Sequence, residues 1–193
     1  MREYASDIES GERLLDLADE LGVDWQSLAD IGTTWSVGHR AWAFAMRDGD
    51  ANIIGIRLRD ESGHKWAVRG SKAGLFYAPK RAAARAYVVE GPTDCAAAMD
   101  IGVYAIGRPS CMGSEEQVLR VVDRLGIREV VVVSDNDTPG WRGAERLQAM
   151  LPVPSVIWVP PAKDMREFVR SGGTRPAVEA LLSGLRWTTP RPA

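Results

Sequence analysis

Glu90, Asp135 and Asp137 are the residues of this 193-residue chain best placed to do chemistry, because each follows a short β-branched run. Tyr87-Val88-Val89 leads into Glu90-Gly91-Pro92-Thr93-Asp94, and Val130-Val131-Val132-Val133 leads through Ser134 into Asp135-Asn136-Asp137-Thr138-Pro139-Gly140. Runs that stop on a carboxylate and then meet helix-start residues read as strands of a buried parallel sheet. Carboxyl ends of parallel strands share one rim, so acids distant in sequence can meet there. Three carboxylates gathered on that rim repel one another unless a hard cation joins them, and Mg²⁺ is the ordinary choice.

Asp135 and Asp137 stand two apart, which on extended chain sends both side chains to one side, where they can hold one ion together. Alone, the pair reads equally well as a turn: Thr138 is a good N-cap, Pro139 suits the first helical position, and Asp137 can bond a backbone amide. A calcium loop is excluded, because its fifth position would be Pro139 and its twelfth Arg146 in place of a glutamate. Cys95 and Cys111 with His39 and His64 lack the paired spacing of a structural zinc site and read as packed or inert groups.

The elements that must position these acids follow from periodicity. Leu14, Leu15, Leu17, Ala18 and Leu21 recur at helical spacing up to Gly22, and Asp24 caps a second short helix. From Trp42 to Val68, strand-like runs are broken at Asp48-Gly49-Asp50 and Glu61-Ser62-Gly63, the pattern of an antiparallel meander. Ile54, Ile56 and Leu58 share one face of it, which leaves Arg57 and Arg59 on the other, and Trp66 and Val68 alternate with Lys65 and Arg69 in the same way. Trp66 is therefore expected in the core rather than in a binding surface. Gly70-Ser71-Lys72-Ala73-Gly74-Leu75-Phe76 reads as a glycine-containing connection whose backbone could approach a phosphate. Beyond about residue 85 strands and helices alternate to about residue 184, which predicts an open α/β sheet built by crossover connections.

Four segments are expected: a helical lead-in over 1–38, a small basic antiparallel β subdomain over 39–84, the α/β domain over 85–186 and a flexible tail over 187–193. Charge divides along the same lines. Residues 1–30 carry two basic side chains against nine acids, whereas residues 31–85 carry ten basic against four acidic. A basic surface beside an acidic site suits a nucleic-acid partner, although charge runs are more often solvated faces. The acidic N-terminus and the lack of a long apolar run argue against a signal peptide or membrane span and lead to a cytoplasmic expectation.

Taken together, strand-Glu90-Gly91-x-x-Asp94, a glycine-containing middle from Gly107 to Gly113, and strand-Asp135-x-Asp137-x-x-Gly140 resemble the Toprim domain of bacterial-type primases, topoisomerases and some nucleases. The resemblance spans about residues 85–172, and Lys163-Asp164 before a short helix is similar to a primase segment. With Trp42–Arg47, Ile54–Arg59 and Lys65–Phe76, the chain resembles the RNA-polymerase core of DNA primases, particularly phage and mobile-element forms. The resemblance implies that Glu90 is the acid/base carboxylate, that Asp135 and Asp137 bind Mg²⁺ (or Mn²⁺) with it, and that Asp94 and Asp164 support the site. Arg57, Arg59, Lys65, Arg69, Lys72 and Lys163 are then expected to guide nucleic acid or nucleotide.

It also implies short-RNA synthesis or extension on single-stranded DNA from nucleoside triphosphates, alongside a separate helicase or initiator protein, with no membrane role. A nuclease using the same acids and a non-catalytic DNA-binding accessory module are the alternatives. The chain departs from the family where Arg166 replaces a second acid, and two cysteines cannot build the zinc module with which many primases choose a start site.

Overall fold

Two sheets divide the chain, each following from its own side-chain period. The computed structural model describes residues 8–79 and 83–189. Helices α1 (Ile8–Leu21) and α2 (Trp25–Asp30) come first, followed by β1 (Thr33–Ser36), β2 (Ala41–Arg47), β3 (Ile53–Arg59) and β4 (Lys65–Ala67), an antiparallel meander in chain order. The α/β part then runs β5 (Arg85–Glu90), α3 (Pro92–Asp100), β6 (Ala105–Arg108), α4 (Glu115–Arg124), β7 (Glu129–Val133), α5 (Thr138–Met150), β8 (Ser155–Trp158), α6 (Met165–Arg170) and α7 (Arg175–Ser183). Its strands are parallel throughout, in the order β6-β5-β7-β8. The open α/β sheet expected from the alternation is the observed one.

Alternation along each parallel strand separates two apolar layers. Tyr87, Val89, Val131, Val133 and Trp158 pack in one cluster with Met99 of α3 and Phe168 of α6, while Val88, Ile106, Val130 and Val132 pack with Val118 of α4 and Leu147 of α5. A sheet buried on both faces needs apolar residues at every position, which is why β5 and β7 read as continuous Val-rich runs.

The meander departs from expectation in two ways. Strand β1 lies within the stretch expected to be a helical lead-in, pairing in register with β2 from Thr33↔Phe44 to Ser36↔Ala41. The face that docks on the main core is not the aliphatic face of β3. Trp35, Trp42, Phe44 and Met46 enter the larger cluster, and register places Trp42 opposite Arg59 and Phe44 opposite Arg57, so the arginines extend the docking face. Leu58 is buried with Ala41 and Ala43 in a small outer cluster, against which Ile56, Trp66 and Val68 pack only in part. Aliphatic β3 is thus an outer surface, because the larger tryptophan and phenylalanine of the neighbouring strands supply more apolar area to bury.

Residues 70–76 are not an open phosphate-approaching loop either. Leu75 bridges Arg47 of the first sheet, Phe76 bridges Gly107 of the second, and Leu75, Phe76 and Tyr77 are fully buried. This segment ties the sheets together. The β2–β3 turn adds a second tie: the Gly49 amide donates to Gln117 Oε1 at 2.8 Å and Arg124 Nε donates to the Gly49 carbonyl at 2.7 Å. Part of the expected tail is ordered too, since Thr188 pairs with Ser155 at the β8 edge; residues 190–193 lie outside the described residues. Among the described residues no helix is long and apolar enough to cross a membrane.

Candidate active site

The strand order reverses between β5 and β7, and the acids stand at the carboxyl ends of those two strands, the crevice where open α/β sheets bind ligands. Glu90 is the last residue of β5. Gly91 follows with φ 86°, a left-handed conformation that lets the chain turn at once into α3, with Pro92 in the first helical turn. Asp94 sits in that same turn and is 9 % exposed.

The Asp135–Asp137 pair is held differently from an extended strand. β7 ends at Val133, and the Asp137 amide donates to the Asp135 carbonyl at 2.8 Å, so a tight turn and not strand alternation presents the two acids. Asp137 caps α5, accepting from the Gly140 amide at 2.7 Å. A Cβ on residue 140 would stand 2.9 Å from the Asp135 carbonyl oxygen and 3.0 Å from Asp137 Oδ1, so this turn needs glycine there. The helix-cap and acidic-site readings of Asp137 are therefore compatible, one oxygen serving the cap. Asp164 likewise caps α6, accepting from Glu167 N at 2.7 Å.

The charges of these acids act on one another. Burial raises the Glu90 pKa, and the charge of Asp137 raises it further; Arg108, Lys65 and the Cys111 amide act the other way. Asp135 is pushed up to about 6, first by burial and then by the charges of Glu90, Asp164 and Asp137. Asp94 is pushed up to about 7, chiefly by burial, against the 2.9 Å hydrogen bond its Oδ1 accepts from the Arg166 amide. Shifts of this direction in a cleft mark carboxylates held against their own repulsion.

Among the described residues no set of three or more His, Cys, Asp or Glu side chains is gathered tightly enough to hold a metal ion as it stands. Asp137 and Asp164 each give one carboxylate oxygen to a helix cap. The donor set still fits a hard cation: it is all carboxylate oxygen, electrostatically crowded and open to water, and Mg²⁺ is ordinarily held by one or two carboxylates with water and phosphate completing its shell.

A cleft of about 300 Å³ runs between the sheets. Arg57, Arg59 and Lys65 line it from the meander, and Glu90, Asp94, Asp135, Lys163 and Asp164 from the strand-end rim, with Phe44 and Phe76 among the apolar lining. The register Arg59↔Lys65 puts those two cations side by side. Partial burial and the charge of Arg59 lower the Lys65 pKa. Arg59 is shared with Glu20 of α1, 2.8 Å away. Arg69 and Lys72, grouped with these cations in sequence, are exposed and outside the lining. The cleft gains instead Arg166, at the position where the resembled family carries an acid; its place two residues after Asp164 was the available signal. Trp42 is buried edge-on against Trp35, with ring centroids 5.0 Å apart, and offers no stacking face.

Residues 87–169 match the Toprim-like family. Among solved structures, the DnaG catalytic core superposes with a TM-score of 0.71 at 17% identity, covering 89% of this chain and 72% of that one. The primase fragment of the bacteriophage T7 primase-helicase protein gives 0.67 at 18% identity, covering 84% and 72%. A DNA primase domain from Pseudomonas aeruginosa gives 0.61 at 21% identity, covering 90% and 63%. Among curated proteins no sequence matches. The fold of primase catalytic cores therefore extends over both sheets of this chain.

Proposed function

We propose that this Toprim-bearing chain is a primase-like nucleotidyltransferase that makes or extends short RNA on single-stranded DNA from nucleoside triphosphates. The observation that carries the reading is the cleft itself, with strand-end acids on one wall and the cationic edge of the meander on the other. A nucleic-acid or triphosphate backbone requires cations along its path, whereas phosphoryl transfer requires carboxylates at one point on it. In this cleft the two lie face to face.

Glu90, Asp135 and Asp137 are the residues assigned to hold Mg²⁺, with Asp94 and Asp164 supporting them. When bound, that cation would lower the pKa of an attacking hydroxyl and neutralise charge on the α-phosphate. Glu90, at the strand end lining the cleft, takes or relays the proton released by the primer 3′-hydroxyl. The new bond joins that oxygen to the α-phosphorus, and the bond to the β-phosphate oxygen breaks, releasing pyrophosphate. Arg57, Arg59, Lys65, Lys163 and Arg166 hold the phosphates. A separate helicase or initiator would deliver single-stranded template.

The test is nucleotide incorporation on single-stranded DNA with Mg²⁺ or Mn²⁺, with and without a candidate helicase. Glu90→Gln and Asp135→Asn are expected to abolish incorporation while the protein stays folded. Full activity in a folded double variant refutes the site, and shortening of labelled strands without nucleotides identifies a nuclease instead.

A further inference from the structure

Arg108 lies outside the acidic set and yet is built into the site. It ends β6, in register with Glu90 on β5, and is only 4 % exposed. Its Nη2 donates to the Cys111 carbonyl at 2.5 Å and to the Gly113 carbonyl at 3.0 Å, and its Nε donates to the Gly113 carbonyl at 3.2 Å. Nη2 also stands 3.4 Å from Oε1 of Glu115, another buried side chain, which accepts from the Gly113 amide at 3.2 Å and pairs with Arg146 Nε at 3.2 Å. Charges this deep are tolerated only when their hydrogen bonds are filled, and here one loop fills them.

Loop 109–113 is thus wound around a guanidinium. Helix α5 holds it from the other side, since a Cβ on Gly143 would collide with the Cys111 carbonyl. What the loop presents to the site is backbone: the Cys111 amide faces Glu90, and Ser110 and Cys111 line the same small pocket as Glu90 and Asp135. A lysine would keep the charge of Arg108 but could not reach two carbonyls and Glu115 with a fixed planar fork.

We propose that Arg108 is the positioning residue of Glu90, acting through loop 109–113, whose Cys111 backbone it holds against the Glu90 carboxylate so that this acid stays aimed into the cleft. The inference rests on the role assigned to Glu90 above and adds a residue that touches neither nucleotide nor template.

Arg108→Lys in the full chain tests it, with Gly143→Ala displacing the same loop from the α5 side and leaving the ion pair alone. In each variant, hydrogen exchange of the 110–113 amides is expected to rise about tenfold or more while the β5 and β7 amides stay protected. The kcat of incorporation is expected to fall about tenfold with KM for nucleotide within about twofold, since the phosphate-holding cations are untouched. Mn²⁺ affinity, read by calorimetry, is expected to weaken by about tenfold, the loss a misaimed outer partner ordinarily brings. A purely structural arginine would lower only the unfolding midpoint. Unchanged exchange in 110–113, or unchanged kcat and Mn²⁺ affinity in both folded variants, overturns the proposal. If the wild-type chain binds Mn²⁺ but incorporates nothing, the functional reading fails while exchange and Mn²⁺ affinity still decide the positioning role.

Discussion

Asp94 is buried and its pKa is pushed up to about 7 from the usual 3.8, so the metal-free protein should become less stable as pH rises. A carboxyl whose folded pKa lies above its unfolded value contributes most below the unfolded value, and that contribution is lost as pH climbs through the folded one. With these two values the penalty is about 2 kcal/mol at pH 5 and about 4 kcal/mol at pH 8, a difference of roughly 2 to 3 kcal/mol. Asp94→Asn removes the charge and keeps an oxygen that can accept from the Arg166 amide, so the variant should gain on the wild type by that difference between the two pH values. Urea unfolding in EDTA measures it. For a chain this size, with a slope of about 2 kcal/mol per molar, the midpoint gap should widen by about 1 M from pH 5 to pH 8. A gap that stays constant or narrows refutes the claim that Asp94 is held against its own ionisation.

Millimolar Mg²⁺ should raise the unfolding midpoint more at pH 8 than at pH 5, because at pH 5 Asp94 and Asp135 are largely protonated in the fold and offer the ion less charge; a tenfold excess over Kd corresponds to about 1.4 kcal/mol. Equal shifts at both pH values would count against these acids as the ion's partners. Gly140→Ala should destabilise by about 1–3 kcal/mol and weaken Mn²⁺ binding, since the added Cβ meets the Asp135 backbone and the Asp137 cap oxygen; urea melts and calorimetry report both. Arg57→Ala with Lys65→Ala should flatten the salt dependence of single-stranded DNA binding by about 1.4 in log–log slope, whereas Arg69→Ala with Lys72→Ala, outside the cleft, should change it less. Fluorescence titrations from 50 to 200 mM salt separate the pairs, and equal slopes would remove the cleft as the backbone track.

The α/β half was legible because a buried parallel strand allows little variety. Val130 to Val133 cannot be anything polar when both faces are covered, so strand, carboxylate and helix start all show in the residues themselves. The meander was half legible: alternation identified the faces of β3 and put Arg57 and Arg59 together, but could not say which face turns inward. That depended on Trp42 and Phe44 across the ladder, and a strand's period carries no information about the size of its neighbours' side chains. The 70–76 segment misled because its glycines suggest an open loop, whereas Gly74 is packed against the Arg47 backbone and Leu75 and Phe76 bridge two sheets.

The sequence by itself therefore determined which acids close β5 and follow β7, and that they stand on one rim of a parallel sheet, since strand ends and helix caps are written in local residue types. Tertiary structure alone decided that Arg57, Arg59 and Lys65 face Glu90 and Asp135 across a cleft while Arg69 and Lys72 do not, that Arg166 joins them, and that Arg108 anchors the loop beside Glu90. These are contacts between elements far apart in the chain, fixed by how two sheets dock and which side chains fill the space between them, and no local pattern encodes that choice.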